Sequence, residues 1–154
     1  MSSPRIDKNC PAGLADCKEI DLPTFTDERG SLTLVDRQTA EAKLPFLPKR
    51  IFWIHHTPNY ATRGEHAHRS CWEVVVAVNG EFHLELTDGK TTKTFILNNA
   101  SKGVVIPPMI WCKLWGFSPD CICLTLASED YDATGYINSL PVFLKEVGAN
   151  DTNR

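Results

Sequence analysis

Nowhere in this 154-residue chain do about 18 apolar residues follow one another, the length that a membrane-spanning helix requires. The first residues, MSSPRIDKNCPAGLADCKE, also lack the apolar segment of a secretory signal. A basic excess is missing too. The chain has 16 Lys and Arg against 19 Asp and Glu, a formal net charge of −3, which leaves no surplus to neutralise a nucleic-acid backbone. Nucleic acid and membrane are therefore not expected as partners, and an anionic ligand must be met by local arginines. The six cysteines, at 10, 17, 71, 112, 121 and 123, form no CxxC pair. A chain of this size buries roughly 70% of its unfolded surface and needs no disulfide staples, so reduced thiols in a cytoplasmic protein are the simplest expectation. Internal repeats, low-complexity blocks and a second domain are absent as well.

Sustained helical periodicity is missing before Asp130. In its place stand short runs of β-branched and aromatic residues: SLTLV (31–35), RIFWIHH (50–56), WEVVVAV (72–78), EFHLELT (81–87), KTFIL (93–97), GVVIP (103–107), CKLW (112–115) and CICLTLA (121–127). Asn79-Gly80 and Asp88-Gly89 tolerate the positive φ of tight hairpin turns, which predicts that residues 72–97 form three consecutive hairpin-linked strands. Alternation in EFHLELT puts Phe82, Leu84 and Leu86 on a buried face and leaves His83 at the surface. Repeated turns at short spacing predict an all-β antiparallel sandwich or barrel. After Asp130, Ile137, Leu140, Phe143, Leu144 and Val147 recur at helical intervals, with Pro141 placed to limit or kink that helix. The expected organisation is a flexible leader over 1–20, one domain over 21–147 and a tail over 148–154.

Ionisable groups concentrate in RGEHAHRSCWEVVVAVNG, residues 63–80. On a strand, His66 and His68 share a face, and Glu73 can join them after a twist or bulge. Two imidazoles and a carboxylate suit either a metal site or proton transfer, because imidazole ligates metals and titrates near neutrality. A pair of solvent-facing histidines is the plainer alternative.

The spacing Gly64-x-His66-x-His68, then Glu73 and Gly80, resembles the first motif of the cupins, small antiparallel β-barrels. Where the second cupin motif normally supplies a histidine after a proline turn, GVVIPPMIWCK has Trp111 and Cys112, so a complete metal set is not visible. Over residues 27–143 the chain resembles more closely the dTDP-4-keto-6-deoxyglucose 3,4-ketoisomerases. The resemblance rests on the ordered set ERGSLTLVD (28–36), KRIFWI (49–54), RGEHAH (63–68), VNGEFHLELTDG (78–89), IPPMIW (106–111) and LASEDYDATGYI (126–137). It implies a cupin-like jelly-roll barrel with a short C-terminal helix, often dimeric. The activity it implies is interconversion of 4-keto and 3-keto forms of a dTDP-linked 6-deoxyhexose, with His66 and His68 catalytic and with neither cofactor nor metal. Tyrosine often stands in that family where Phe52 and Trp53 stand here, glutamine at Glu73 and histidine at Cys112.

For such a substrate the expected diphosphate partners are Arg29, Arg50 and Arg63, since the guanidinium fork matches phosphate oxygens. Glu73 and Trp111 are candidate substrate contacts, Trp111 by stacking on the base or lining the sugar pocket, or else as core. One of Phe52 and Trp53 should wall the cavity. A metal-dependent cupin enzyme using His66, His68, Glu73 and Cys112, and a non-catalytic sugar-nucleotide binding domain, are the competing expectations.

Overall fold

A computed structural model describes residues 12–151. After a 3₁₀ turn at Leu14–Asp16 come β1 (Glu19–Asp21), β2 (Thr24–Asp27), β3 (Gly30–Thr33), α1 (Arg37–Lys43), β4 (Arg50–His55), β5 (Arg63–His68) and β6 (Glu73–Asn79). The second half contains β7 (Phe82–Thr87), β8 (Thr92–Leu97), β9 (Lys102–Ile106), β10 (Trp111–Trp115), β11 (Ile122–Ala127), β12 (Tyr136–Ile137) and α2 (Leu140–Asp151). The strands form two five-stranded sheets, ordered β1-β9-β6-β11-β4 and β12-β5-β10-β7-β8, plus the separate β2–β3 hairpin. Every pairing is antiparallel.

The inner faces of the two sheets share one core. Val75, Ala77, Val104, Ile106 and Cys123 of the first sheet meet Phe82, Leu84, Leu86, Cys112 and Leu114 of the second. Burial of such aliphatic and aromatic groups is the dominant stabilising term, about 1.5–3 kcal/mol for each large side chain. α1 covers the outer face of the first sheet, where Ala40 packs with Val74, Val76, Val105 and Leu126. Asp36 caps this helix: its carboxylate accepts from Thr39 N–H at 2.8 Å, and its own N–H donates to Thr39 Oγ1 at 2.7 Å. α2 covers the second sheet, where Phe143 packs on Ala67, Trp111 and Ile137.

Several expectations require correction. The stretch expected as a leader is folded from Gly13 onward, because Leu14 and Cys17 are drawn into the core and β1 begins at Glu19; Cys10 lies outside the described residues. Asn79-Gly80 is not a hairpin turn. β6 lies between β9 and β11 in one sheet, β7 lies between β10 and β8 in the other, and the dipeptide is the crossing point between them. Gly80 adopts φ +71°, and a Cβ there would stand 2.4 Å from Ser118 Oγ. Gly80 alone of the pair takes a positive φ, and tertiary packing decides which strand follows. The hairpin at Asp88-Gly89 does form, joining β7 to β8 with Thr87 opposite Thr92. His83 is half-buried against Trp115 rather than free at the surface. Pro141 neither kinks nor shortens α2, because it occupies the first turn, where its missing N–H has no partner to lose.

Candidate active site

The histidine motif lies on β5, whose pairing with β10 slips by one residue: His66 is opposite Cys112, Gly64 is opposite Lys113, and Glu65 is the extra residue between them. Gly64 at φ 80° and Glu65 at φ 58° both sit in the left-handed region. A side chain at Gly64 would be crowded as well as strained, since a Cβ would approach the Cys112 carbonyl oxygen and Leu114 Cδ1 to 3.0 Å each. Beyond this bulge His66 and His68 share a face, as the two-residue spacing predicts, with ring centroids 5.0 Å apart and edge-on.

Glu73 reaches them by a different route from the one expected. β5 ends at His68, the chain crosses to the opposing sheet, and Glu73 opens β6 between Ile106 of β9 and Ala127 of β11. From that sheet it faces back across the core, with Oε1 2.5 Å from His68 Nε2 and both side chains 6% exposed. The contact lies off the N–H axis, which leaves His68 Nε2 without an aligned hydrogen bond. The ligand atoms of His66, His68 and Glu73 all lie within 4.8 Å of one another, close enough to converge on one cation or on one transferred proton.

His66 Nε2 lies 3.8 Å from Cys112 Sγ. Burial pushes the Cys112 thiol far above its ordinary pKa, so a neutral S–H faces the imidazole. Burial first, and then the neighbouring His68, holds His66 below its ordinary value. Tyr136 closes the cluster. β12 places it opposite His68, with its ring centroid 4.4 Å from His68 and 5.2 Å from His66. Its hydroxyl accepts a hydrogen bond from Arg50 Nη1 at 3.4 Å. Burial raises the phenol pKa, and the Arg50 charge acts in the opposite direction.

These groups border a cavity of about 580 Å³, within the range of small-molecule sites. His66, Glu73, Cys112 and Tyr136 line it, Phe52 and Ile54 contribute apolar wall, and the exposed Arg63 and His55 form part of its rim. His68 lies one ring deeper, behind His66. Of the aromatic pair on β4, Phe52 faces inward, while Trp53, 59% exposed, also borders the cavity.

Three expected contacts fall elsewhere or turn away. Trp111 is buried against Phe143 beneath α2, because alternation along β10 sends its neighbour Cys112 into the cavity instead. Arg29 sits at the exposed tip of the β2–β3 hairpin, paired with Asp27 at 2.5 Å, outside the cavity of its own chain. Arg50 is turned toward Tyr136, with its guanidinium over the rings of Phe52 and Tyr131 at 5.3 and 5.7 Å. The residue that sequence reasoning missed is Tyr136. It sits on a two-residue strand with no period to betray it, and only its place inside the matching segment 126–137 pointed that way.

Comparison with known proteins agrees with this geometry. The family model described as FdtA, WxcM-like, C-terminal matches residues 15–148. The TDP-4-oxo-6-deoxy-alpha-D-glucose-3,4-oxoisomerase of Aneurinibacillus thermoaerophilus is 33% identical over 130 residues, which cover 84% of this chain and 91% of that protein. The sugar 3,4-ketoisomerase QdtA of Thermoanaerobacterium thermosaccharolyticum, solved in complex with TDP, superposes with a TM-score of 0.83 at 30% identity, covering 89% of this chain and 98% of that one. The TDP-quinovose 3,4-ketoisomerase WlaRB of Campylobacter jejuni gives a TM-score of 0.77 at 33% identity, covering 84% and 97%. This chain belongs to the FdtA family of sugar-nucleotide 3,4-ketoisomerases.

Proposed function

We propose that this protein is an isomerase that interconverts the 4-keto and 3-keto forms of a dTDP-linked 6-deoxyhexose. The observation that carries the proposal is the pairing of two adjoining imidazoles with a buried carboxylate at the wall of a cavity large enough for a sugar. The reaction moves two protons and no net electrons, and it needs a group for the carbon-bound proton. His66 is assigned to carbon: it lines the cavity, burial holds its pKa down so that the neutral ring can take the C3 proton, and the Glu73 carboxylate stabilises the imidazolium that forms. His68 is buried off the cavity wall and, 2.5 Å from Glu73, positions that carboxylate beside His66. The proton held by His66 is then returned at C4, while the O3 proton passes to O4. Positioned acid–base groups of this kind contribute about 10²–10⁴-fold each.

Arg63 at the cavity rim is the proposed partner of the substrate diphosphate. We read the paired five-stranded sheets as a flattened cupin-like jelly roll and the working form as a cytoplasmic homodimer. The β2–β3 hairpin supports the dimer: Phe25 and Leu32 are 63% and 60% exposed on it, an apolar pair that a second copy would cover.

The test is incubation with dTDP-4-keto-6-deoxyglucose in D₂O, with product followed by NMR. His66→Asn should abolish deuterium incorporation while TDP binding is preserved, and His68→Asn should impair turnover. Wild-type protein that binds TDP but incorporates no deuterium would overturn the reading in favour of a non-catalytic binding domain. Convergence of His66, His68 and Glu73 supports one second reading, a metal-assisted isomerase. Loss of activity on chelation, restored by one divalent ion, would establish it.

A further inference from the structure

We propose that Tyr136 is a catalytic residue of this site, donating its phenolic hydrogen bond to the oxygen on which negative charge develops, with Arg50 as the residue that positions it. The inference rests on the isomerase reading above and deepens it. His66 cannot fill the role while it takes the C3 proton, and His68 does not line the cavity, so a further donor is needed, and it must be fixed beforehand to act without reorganisation.

The geometry points to Tyr136 on four grounds. It lines the same cavity as His66 and Glu73. Its ring lies against both imidazoles, at 4.4 and 5.2 Å, so an atom reaching the histidines from the cavity also comes close to the phenol. The register of β12 on β5 holds it opposite His68 through backbone pairing rather than by a mobile loop. The fourth ground is hydrogen-bond accounting. Arg50 Nη1 can only donate, so at 3.4 Å the phenolic oxygen is the acceptor, and the phenol's own proton is left for another partner. Among the described residues Tyr136 accepts this bond and donates none. At neutral pH a tyrosine keeps its proton, so it remains a donor throughout.

Arg50 is suited to its part. Phe52 and Tyr131 flank its guanidinium at 5.3 and 5.7 Å, which fixes a permanent cation beside the phenolic oxygen and strengthens the phenol as a donor. In the reaction, His66 takes the C3 proton, the C3–H electron pair forms the C3–C4 double bond, and the carbonyl pair of C4 moves onto O4. Tyr136 donates to O4 without releasing its proton. The O3 proton then passes to O4, an O3 electron pair closes the new C3 carbonyl, and C4 takes back the proton held by His66. One C–H and one O–H are lost at C3 and one of each is gained at C4, so nothing else is consumed.

The experiment compares wild type, Tyr136→Phe and Arg50→Met in the intact chain, using TDP-4-keto-6-deoxyglucose turnover, C3 deuterium exchange, TDP affinity and thermal melting. Tyr136→Phe keeps the ring that packs on the histidines and removes only the donor. It should lower kcat by about 10²–10³-fold, the usual cost of losing one oxyanion donor. Deuterium exchange should fall in parallel, with KM, TDP affinity and Tm close to wild type. Arg50→Met should lower kcat by a smaller factor with unchanged TDP affinity, and it serves as the test should Tyr136→Phe fail to fold. If Tyr136→Phe keeps more than half of the wild-type kcat, or if the variants lose TDP affinity or Tm instead of turnover, this role is overturned while the isomerase reading stands. Wild-type protein unable to isomerise any TDP-4-keto sugar overturns both.

Discussion

Gly64→Ala is the substitution that most directly tests how the fold builds the site. Gly64 sits at φ +80°, and the left-handed region costs an L-residue roughly 1–2 kcal/mol. A new Cβ would stand 3.0 Å from the Cys112 carbonyl oxygen, a backbone atom committed to the β-ladder, and 3.0 Å from Leu114 Cδ1, with Cys112 Sγ at 3.3 Å. Leu114 can rotate away, but the carbonyl cannot move without displacing β10. The relief must therefore come from β5, one residue from the bulge that aims His66. Adding a strand displacement to the φ cost gives a loss of about 2–4 kcal/mol, in the range of mutations that combine strain with a steric clash. For a chain of this size each kcal/mol lowers Tm by about 2–4 °C, so melting should drop by roughly 5–15 °C. Differential scanning calorimetry measures that loss, and deuterium exchange at C3 measures the displacement of His66. The expected result is a folded, less stable protein whose exchange rate falls by more than tenfold. A variant that melts within about 1 °C of wild type with unchanged exchange would show that the bulge does not constrain the histidines, and the account of the site would fail.

Three further outcomes follow from particular groups. The folded chain resists protonation of His66 below its ordinary pKa of 6.5 while the unfolded chain does not, so the unfolded state binds more protons as pH falls below 6.5. Stability should therefore decline from about pH 7 downward until the folded-state pKa is reached, and in His66→Asn melts recorded from pH 7.5 to 5 the slope should flatten; an identical slope would remove His66 as its source. Trp111→Leu should cost about 1–3 kcal/mol by loosening the contact with Phe143 under α2, yet leave TDP affinity unchanged in calorimetric titration, whereas weaker TDP binding with normal stability would return Trp111 to the ligand site. Leu32→Asp places a charge on the exposed hairpin and should turn the proposed dimer into a monomer in analytical ultracentrifugation beside wild type; a monomeric wild type would overturn the proposed dimer, and a variant that still sediments as a dimer would remove the hairpin from the interface.

The parts legible in the sequence are those that local chemistry decides. EFHLELT folds as read, with Phe82, Leu84 and Leu86 inward and alternate residues half-exposed, because a strand with one buried face must alternate. His66 and His68 share a face for the same reason. What the sequence leaves open is which strand becomes whose neighbour. VVVAV carries a signal of its own: Val74 to Ala77 are buried without interruption, because β6 is covered by α1 on one side and by the second sheet on the other. A strand buried on both faces belongs in the middle of a sheet. That argues against seating β6 in a simple hairpin with β7, whose alternation shows one half-exposed face. The consequence reaches the chemistry. Because β6 lies in the opposite sheet, Glu73 meets His68 from across the core instead of from farther along the same strand. Tyr136 completes the cluster only through the register that sets it against His68. The H-x-H motif is local and could be read, but its carboxylate and its phenol arrive through long-range pairing. Their contribution follows from a topology that no spacing between residues encodes.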